Sequence, residues 1–262
     1  MRNGIGKSLR ELLDYRELVQ YIVMTDLKVR YRGSVLGFLW TLLNPLLLTL
    51  VLWAVFSKFG RVDEENYALF LLSGLMIWIF LSQSMTMALN SIVKQRSLIQ
   101  KIYVPKIVFP ISVVLSNLTN FMFFLVAYGA IALVTTIGLS PTALLIVPVI
   151  AMAFLLAVGT ALLMATLNVF FRDFLHLTEV ILRLMFYLTP ILYRPEIFGE
   201  TTKIFFMLNP AYYPIVAARS VLYDHVVPPM EIWVGGFGLG LLSCVLGLLV
   251  FLKSQDKFVY YA

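Results

Sequence analysis

The chain has 262 residues, 61% of them hydrophobic and 13% charged, with a net charge of +6. A soluble domain holds roughly 45–50% apolar and about 25% charged residues, so this composition argues against a water-soluble globule and for an integral membrane protein with several spans. The basic residues are spread along the chain rather than gathered on one soluble face, which argues against nucleic-acid binding.

The first residues, MRNGIGKSLRELLDYREL, are polar and amphipathic and lack the apolar core and cleavage site of a signal peptide. Gly6-Lys7-Ser8 invites a phosphate-loop reading, but the motif's first glycine would fall at Met1 and no strand precedes it. The chain is therefore not expected to bind ATP by itself. Over residues 8–32, Leu9, Leu12, Leu13, Val19, Ile22 and Val23 recur at three- and four-residue steps, with Arg10, Glu11, Asp14, Glu17 and Gln20 opposite them. This pattern predicts an amphipathic helix, capped by Ser8 with Glu11 three residues on, lying along the membrane surface. It runs into DLKVRYRGSVLGFLW, residues 26–40, where Lys28, Arg30 and Arg32 stand before Gly33-Ser34.

Six apolar segments follow, at about 36–57, 67–89, 107–137, 142–170, 175–192 and 232–252. The third and fourth exceed a perpendicular crossing and predict tilt or extension beyond the bilayer. Between the second and third lies SIVKQRSLIQKIYVPK, residues 91–106, which reads either as a basic connector or as a short helix that docks on a partner or on anionic lipid. VFFRDFLH, residues 169–176, reads either as an interfacial aromatic belt or as a knob for a socket in another protein. Glu179 and Arg183 lie four apart and are expected to pair along one helix face. Between segments five and six, two apolar halves are broken at Asn209-Pro210 and Pro214, which predicts a re-entrant helical hairpin at about 196–226.

Lys and Arg concentrate in the N-terminal arm, in residues 94–106, at Arg172 and at Lys253 and Lys257, so both termini are expected on the cytoplasmic side. Cys244 reads as a small buried hydrophobe. No carboxylate pair, metal-spaced cluster or nucleophile–base set is visible within the apolar spans.

Three stretches carry a family likeness: RYRGSVLGFLWTLLNPLL (30–47), NSIVKQRSLIQKIYVPKIVFP (90–110) and NVFFRDFLH (168–176). With the order of spans, they resemble the permease subunits of bacterial ABC transporters that export polysaccharide, a group that includes O-antigen, teichoic acid and capsule exporters. The resemblance implies a single transmembrane permease domain over residues 1–262. Its expected fold is an all-α polytopic membrane protein, with an interface helix, six transmembrane helices and a re-entrant hairpin between spans five and six. It implies a permease homodimer in the inner membrane, joined to two copies of a cytoplasmic ATPase that holds ATP and Mg. The chain itself is expected to bind no cofactor or metal and to have no catalytic residue. The cargo implied is an undecaprenyl-pyrophosphate-linked glycan, which moves through a channel in the dimer among membrane lipids. Arg30, Arg32, Gly33, Ser34 and Gly37 are the expected pyrophosphate gate, since arginine suits phosphate by bidentate hydrogen bonding. Trp40, Trp78, Tyr187 and Tyr193 are the channel-lining candidates, and Leu98, Lys101, Arg172, Asp173 and Phe174 the expected ATPase coupling residues. Two alternatives stay open: a membrane-embedded enzyme for a lipid-linked sugar, built on Asp224, His225 and Glu231, and an exporter of a small lipid or drug.

Overall fold

The computed structural model describes residues 12–30, 33–34, 36–37, 39–59, 66–101, 103–199 and 205–258. Every regular element among them is helical. In chain order these are α1 (Arg16–Arg30), α2 (Leu39–Phe59), α3 (Tyr67–Leu89), α4 (Arg96–Lys101), α5 (Val108–Val134), α6 (Ile146–Phe170), α7 (Phe174–Leu188), α8 (Tyr212–Leu222) and α9 (Met230–Ser254). A 3-10 turn over Pro141–Leu145 leads into α6.

The stripe expected over residues 8–32 folds as a helical turn at 12–14 and then α1. Leu12, Leu18, Val19 and Ile22 face the core, and α1 lies against α5. Leu13, expected in the stripe, is 72% exposed, because the turn at Tyr15 breaks the helical phase. The expected cap at Ser8 and Glu11 lies outside the described residues.

Among the described residues, five helical stretches are long and apolar enough to cross a bilayer: Leu39–Phe56, Tyr67–Leu89, Val108–Val134, Pro141–Phe170 and Met230–Lys257. α3 stands at the centre, with 72% of its apolar window buried, and packs on α5, α6 and α8. α2 is peripheral, with 17% of its window buried. α9 lies along α6 through glycines. A Cβ at Gly159 would collide with the Ser243 and Cys244 backbone, and one at Gly247 with the Gly159 carbonyl. Without a hydrophobic drive between helices in lipid, such close backbone approach is what holds the pair. We expect Gly159→Leu to lower the melting temperature of the detergent-purified protein, at a cost of about 1–3 kcal/mol or more from overpacking; an unchanged melt would mean that the helices separate freely.

The fifth expected segment, 175–192, is shorter as a helix. α7 has 15 residues, about 22 Å at 1.5 Å per residue, against a hydrocarbon core of about 30 Å. It stops because Pro190 pushes Thr189 to an extended conformation, φ −95° and ψ 137°. The chain then continues without helical bonding, and Ile191 and Leu192 are buried. Glu179 and Arg183 are both exposed on α7 and form no ion pair, as an exposed pair gains little by closing.

Contacts between elements place the connectors at two ends of the bundle. Lys106, just before α5, donates to the Gln255 carbonyl just after α9 at 2.7 Å. Burial holds its ammonium below the usual lysine range, with Asp256 opposing the shift. Asn168 near the end of α6 donates to the Leu89 carbonyl at the end of α3 at 2.9 Å. These residues and Arg30 share one end, called here the basic end. At the other end, Tyr128 Oη donates to the Leu222 carbonyl at 3.0 Å and Thr142 Oγ1 to the Val221 carbonyl at 3.1 Å, which fastens α8 to α5 and α6.

Candidate functional site

The gate residues come first. Gly33 (φ +78°) and Gly37 (φ +49°) both adopt the left-handed conformation that glycine tolerates at no steric cost. The Gly37 amide donates to the Ser34 carbonyl and to Ser34 Oγ, each at 3.2 Å. This tight turn carries the chain from α1 into α2, so the glycine–serine signal in the sequence is a real junction. Arg32 lies outside the described residues.

Arg30 is held rather than floppy. Its Nη2 donates to Asp26 Oδ2 at 2.7 Å, one helical turn back. Both terminal nitrogens reach Asn117 Oδ1 on α5, at 3.3 and 3.4 Å. Ser116 Oγ donates to the same Asp26 oxygen at 2.5 Å. The Asp26 carboxylate neutralises part of the cationic field, but the guanidinium has five donors and keeps capacity for a further anion. Its side chain is 21% exposed, so the head is fixed in place yet reachable.

Arg30, Ser34 and Trp40, three of the residues picked out from the sequence, line one cavity of about 500 Å³. That volume falls within the range of small-ligand sites. Asn44 and Leu48 of α2, Ile79 and Gln83 of α3, and Asn120 and Phe124 of α5 complete much of its wall. Sequence reading missed Asn44, Gln83 and Asn120. Each is a carboxamide inside an apolar span, where polar side chains are costly and tend to face a water-filled path, and that was the signal available.

The aromatic candidates divide. Trp78 is buried and meets Phe186 edge-on at 5.9 Å, and Phe186 meets Tyr187 at 5.3 Å. Tyr193 Oη donates to the Tyr187 carbonyl at 2.9 Å, and its ring lies 6.0 Å from Phe206. Trp78, Tyr187 and Tyr193 therefore belong to one aromatic array. Trp40 stands apart, in the cavity wall near the basic end.

The expected coupling residues lie at the basic end. Lys101, Arg172 and Asp173 are exposed, while Leu98 packs against the core and Phe174 is half-buried 6.1 Å from Phe171. Phe171 (60%), one of the aromatics of the VFFRDFLH stretch, adds exposed surface there, and so does Tyr103 (74%), which sequence reading did not single out. Asn168 bridges the two connectors: besides Leu89 it reaches Asn90 Oδ1 at 3.5 Å.

At the opposite end, Arg194 Nη2 donates to Asp224 Oδ1 at 2.7 Å. His225 is left-handed (φ +56°), and neither of its ring nitrogens has a hydrogen-bond partner among the described residues. The Asp224 carboxylate is thus engaged by an arginine and does not orient His225, while Glu231 is exposed in the first turn of α9. This arrangement lacks the base–orienter contact that general acid–base work uses.

The family model for ABC-2 type transporters matches residues 17–223. The chain is 35% identical over 231 residues to an O-antigen export system permease protein RfbA of Myxococcus xanthus, which covers 85% of this chain and 86% of that relative. Two proteins of the same name from Klebsiella pneumoniae are similar, at 32% identity over 243 residues and 31% over 245, each covering 92% of this chain and 93% of the relative.

Proposed function

The chain belongs to the ABC-2 type transporter family, and on that premise we propose that it is the transmembrane subunit of an ATP-driven exporter of lipid-linked polysaccharide, with O-antigen as the cargo. The relatives' names support the cargo. The observation that carries the reading is the single cavity at the basic end that joins Arg30, Ser34 and Trp40 beside the turn from α1 to α2. A fixed guanidinium next to an aromatic ring suits a pyrophosphate followed by sugar.

In this reading the subunit is a multi-pass protein of the inner membrane, the basic end and both termini face the cytoplasm, and ATP and Mg are bound in a separate ATPase. The segments 91–106 and 171–176 meet that ATPase. The extended stretch after α7 completes a sixth crossing, and residues 196–226 form the hairpin on the outer side. Two permease copies form the channel, with α2 and α7, whose Leu50, Trp53, Val180 and Leu184 are exposed, free to meet lipid or the second copy. A second copy would also shield Glu179 and Arg183 from lipid. Tyr187, the exposed member of the aromatic array, then offers a flat face to sugar rings along the path.

Two measurements test this. Cells without the chain should hold the finished lipid-linked glycan on the inner leaflet; surface glycan at the normal level would overturn the function. Reversing the exposed pair, Arg172→Asp with Asp173→Arg, should cut recovery of the ATPase with the permease by about tenfold or more, since like-charge contact across an interface costs several kcal/mol. Undiminished recovery would remove residues 171–176 from the interface.

A further inference from the structure

Resting on the exporter reading, we propose that the cavity beside Arg30 is a sugar-reading subsite, in which Asn120, with Gln83 and Asn44, receives the first sugar attached to the lipid pyrophosphate. Asn120 is 2% exposed, and neither Nδ2 nor Oδ1 of its carboxamide has a hydrogen-bond partner among the described residues. Buried amides are almost always satisfied, so one left with both ends unmade in a cavity wall calls for a ligand. Its neighbour one turn earlier shows the contrast. Asn117 is spent on both sides, its Oδ1 on Arg30 and its Nδ2 on Ser84 Oγ at 3.4 Å.

The chemistry of the wall selects the ligand class. A carboxamide donates and accepts at once, as a sugar hydroxyl or N-acetyl group requires. Three of them enter the cavity from three different helices, α2, α3 and α5, and Trp40 supplies a flat apolar face for the C–H side of a pyranose. None of the described lining residues is acidic, and the Asp26 carboxylate beside Arg30 is engaged by the guanidinium and by Ser116. Asn120 stands three residues along α5 from the asparagine that anchors Arg30, about 4.5 Å of helix rise, close enough for one phosphosugar to touch both. The first sugar is common to glycans of every length, so a site that reads it admits the polymer regardless of how many repeats follow.

The test uses the permease–ATPase complex in nanodiscs and three lipid probes: undecaprenyl pyrophosphate, and the same lipid bearing one N-acetylglucosamine or one galactose. The unaltered complex should prefer one glycosylated probe over the bare lipid. Asn120→Leu should weaken that probe about tenfold, a loss of about 1.4 kcal/mol, and leave the bare lipid unchanged. Gln83→Leu, at an exposed position that a packing defect would not disturb, should act in the same direction. Equal weakening of all three probes by both variants, or no weakening, overturns the subsite. No preference for sugar in the unaltered complex overturns it too, but leaves the exporter reading standing. Binding of none of the probes, bare lipid included, sinks the exporter reading itself. Displacement of the glycosylated lipid by UDP-N-acetylglucosamine at equal concentration would identify a soluble phosphosugar as the ligand and overturn the lipid-linked assignment.

Discussion

Replacing Arg30 and Arg32 together by Gln should lower glycan export by at least about tenfold, with membrane insertion and ATPase recovery unchanged. The reason is geometric for Arg30. Its guanidinium is fixed by Asp26 and Asn117 at the mouth of the cavity, so an arriving pyrophosphate meets a donor fork that needs no ordering. Hydrogen bonds to charged groups contribute roughly 1.5–3 kcal/mol, and about 1.4 kcal/mol is a factor of ten. Removing Arg30 also strips Asp26 of its cation and leaves it with Ser116, which on its own can loosen α1 from α5. A second variant separates the two effects. Asp26→Asn combined with Arg30→Gln relieves the stranded carboxylate and should recover the melting temperature but not export. If export returns with stability, Arg30 is a strut for the interface helix and the pyrophosphate lands elsewhere.

Arg219→Leu should cost the protein several kcal/mol and melt the end of the bundle opposite Arg30. Arg219 is 3% exposed. Its Nη2 donates to the Ile191 carbonyl at 2.9 Å and its Nη1 to the Tyr193 carbonyl at 3.3 Å. Those carbonyls belong to the non-helical stretch that begins where Pro190 ends α7, and with Arg219 and Ile191 both buried a lost donor is not readily replaced by water. The guanidinium also lies 3.7 Å from the centre of the Phe70 ring. Gly74 makes room for it, since a Cβ there would stand 3.1 Å from Nη2. Each orphaned carbonyl costs roughly 1–3 kcal/mol, and the lost cation–π contact adds to that. Thermal unfolding in detergent reads the loss directly. Arg219→Lys should fall between the two, because lysine keeps the charge but cannot span two carbonyls with one planar fork. A melt for Arg219→Leu equal to that of the unaltered protein would show that the stretch is held by packing alone.

The two residues differ in how far they could be read in advance. Arg30 stood out as one of three cations within five residues, before a glycine and an apolar run. Its ion pair with Asp26 is a four-residue step on one helix face, so that too is written locally. Arg219 sits between the fifth and sixth apolar segments, within the stretch 196–226 expected as a hairpin. Nothing near it in the chain reveals that its partners are backbone carbonyls 26 and 28 residues earlier. Nor did the sequence show where the fifth segment stops being helical. Apolar character continues through Ile191 and Leu192, but the backbone leaves the helix at Thr189 under the constraint of Pro190.

By itself the sequence determined the membrane character, the order of the apolar segments and the amphipathic N-terminal helix, because these rest on length, apolarity and periodicity. It also held the family likeness that the match over residues 17–223 bears out. The tertiary structure decided which side chains share a site. It set Asn44, Gln83 and Asn120 around Arg30 and Trp40, moved Trp78, Tyr187 and Tyr193 into a separate array, and bridged the two connectors through Asn168. In a membrane span the faces toward lipid and toward protein are both apolar, so periodicity does not mark which residue looks inward. That choice is made only when helices distant in the chain pack together.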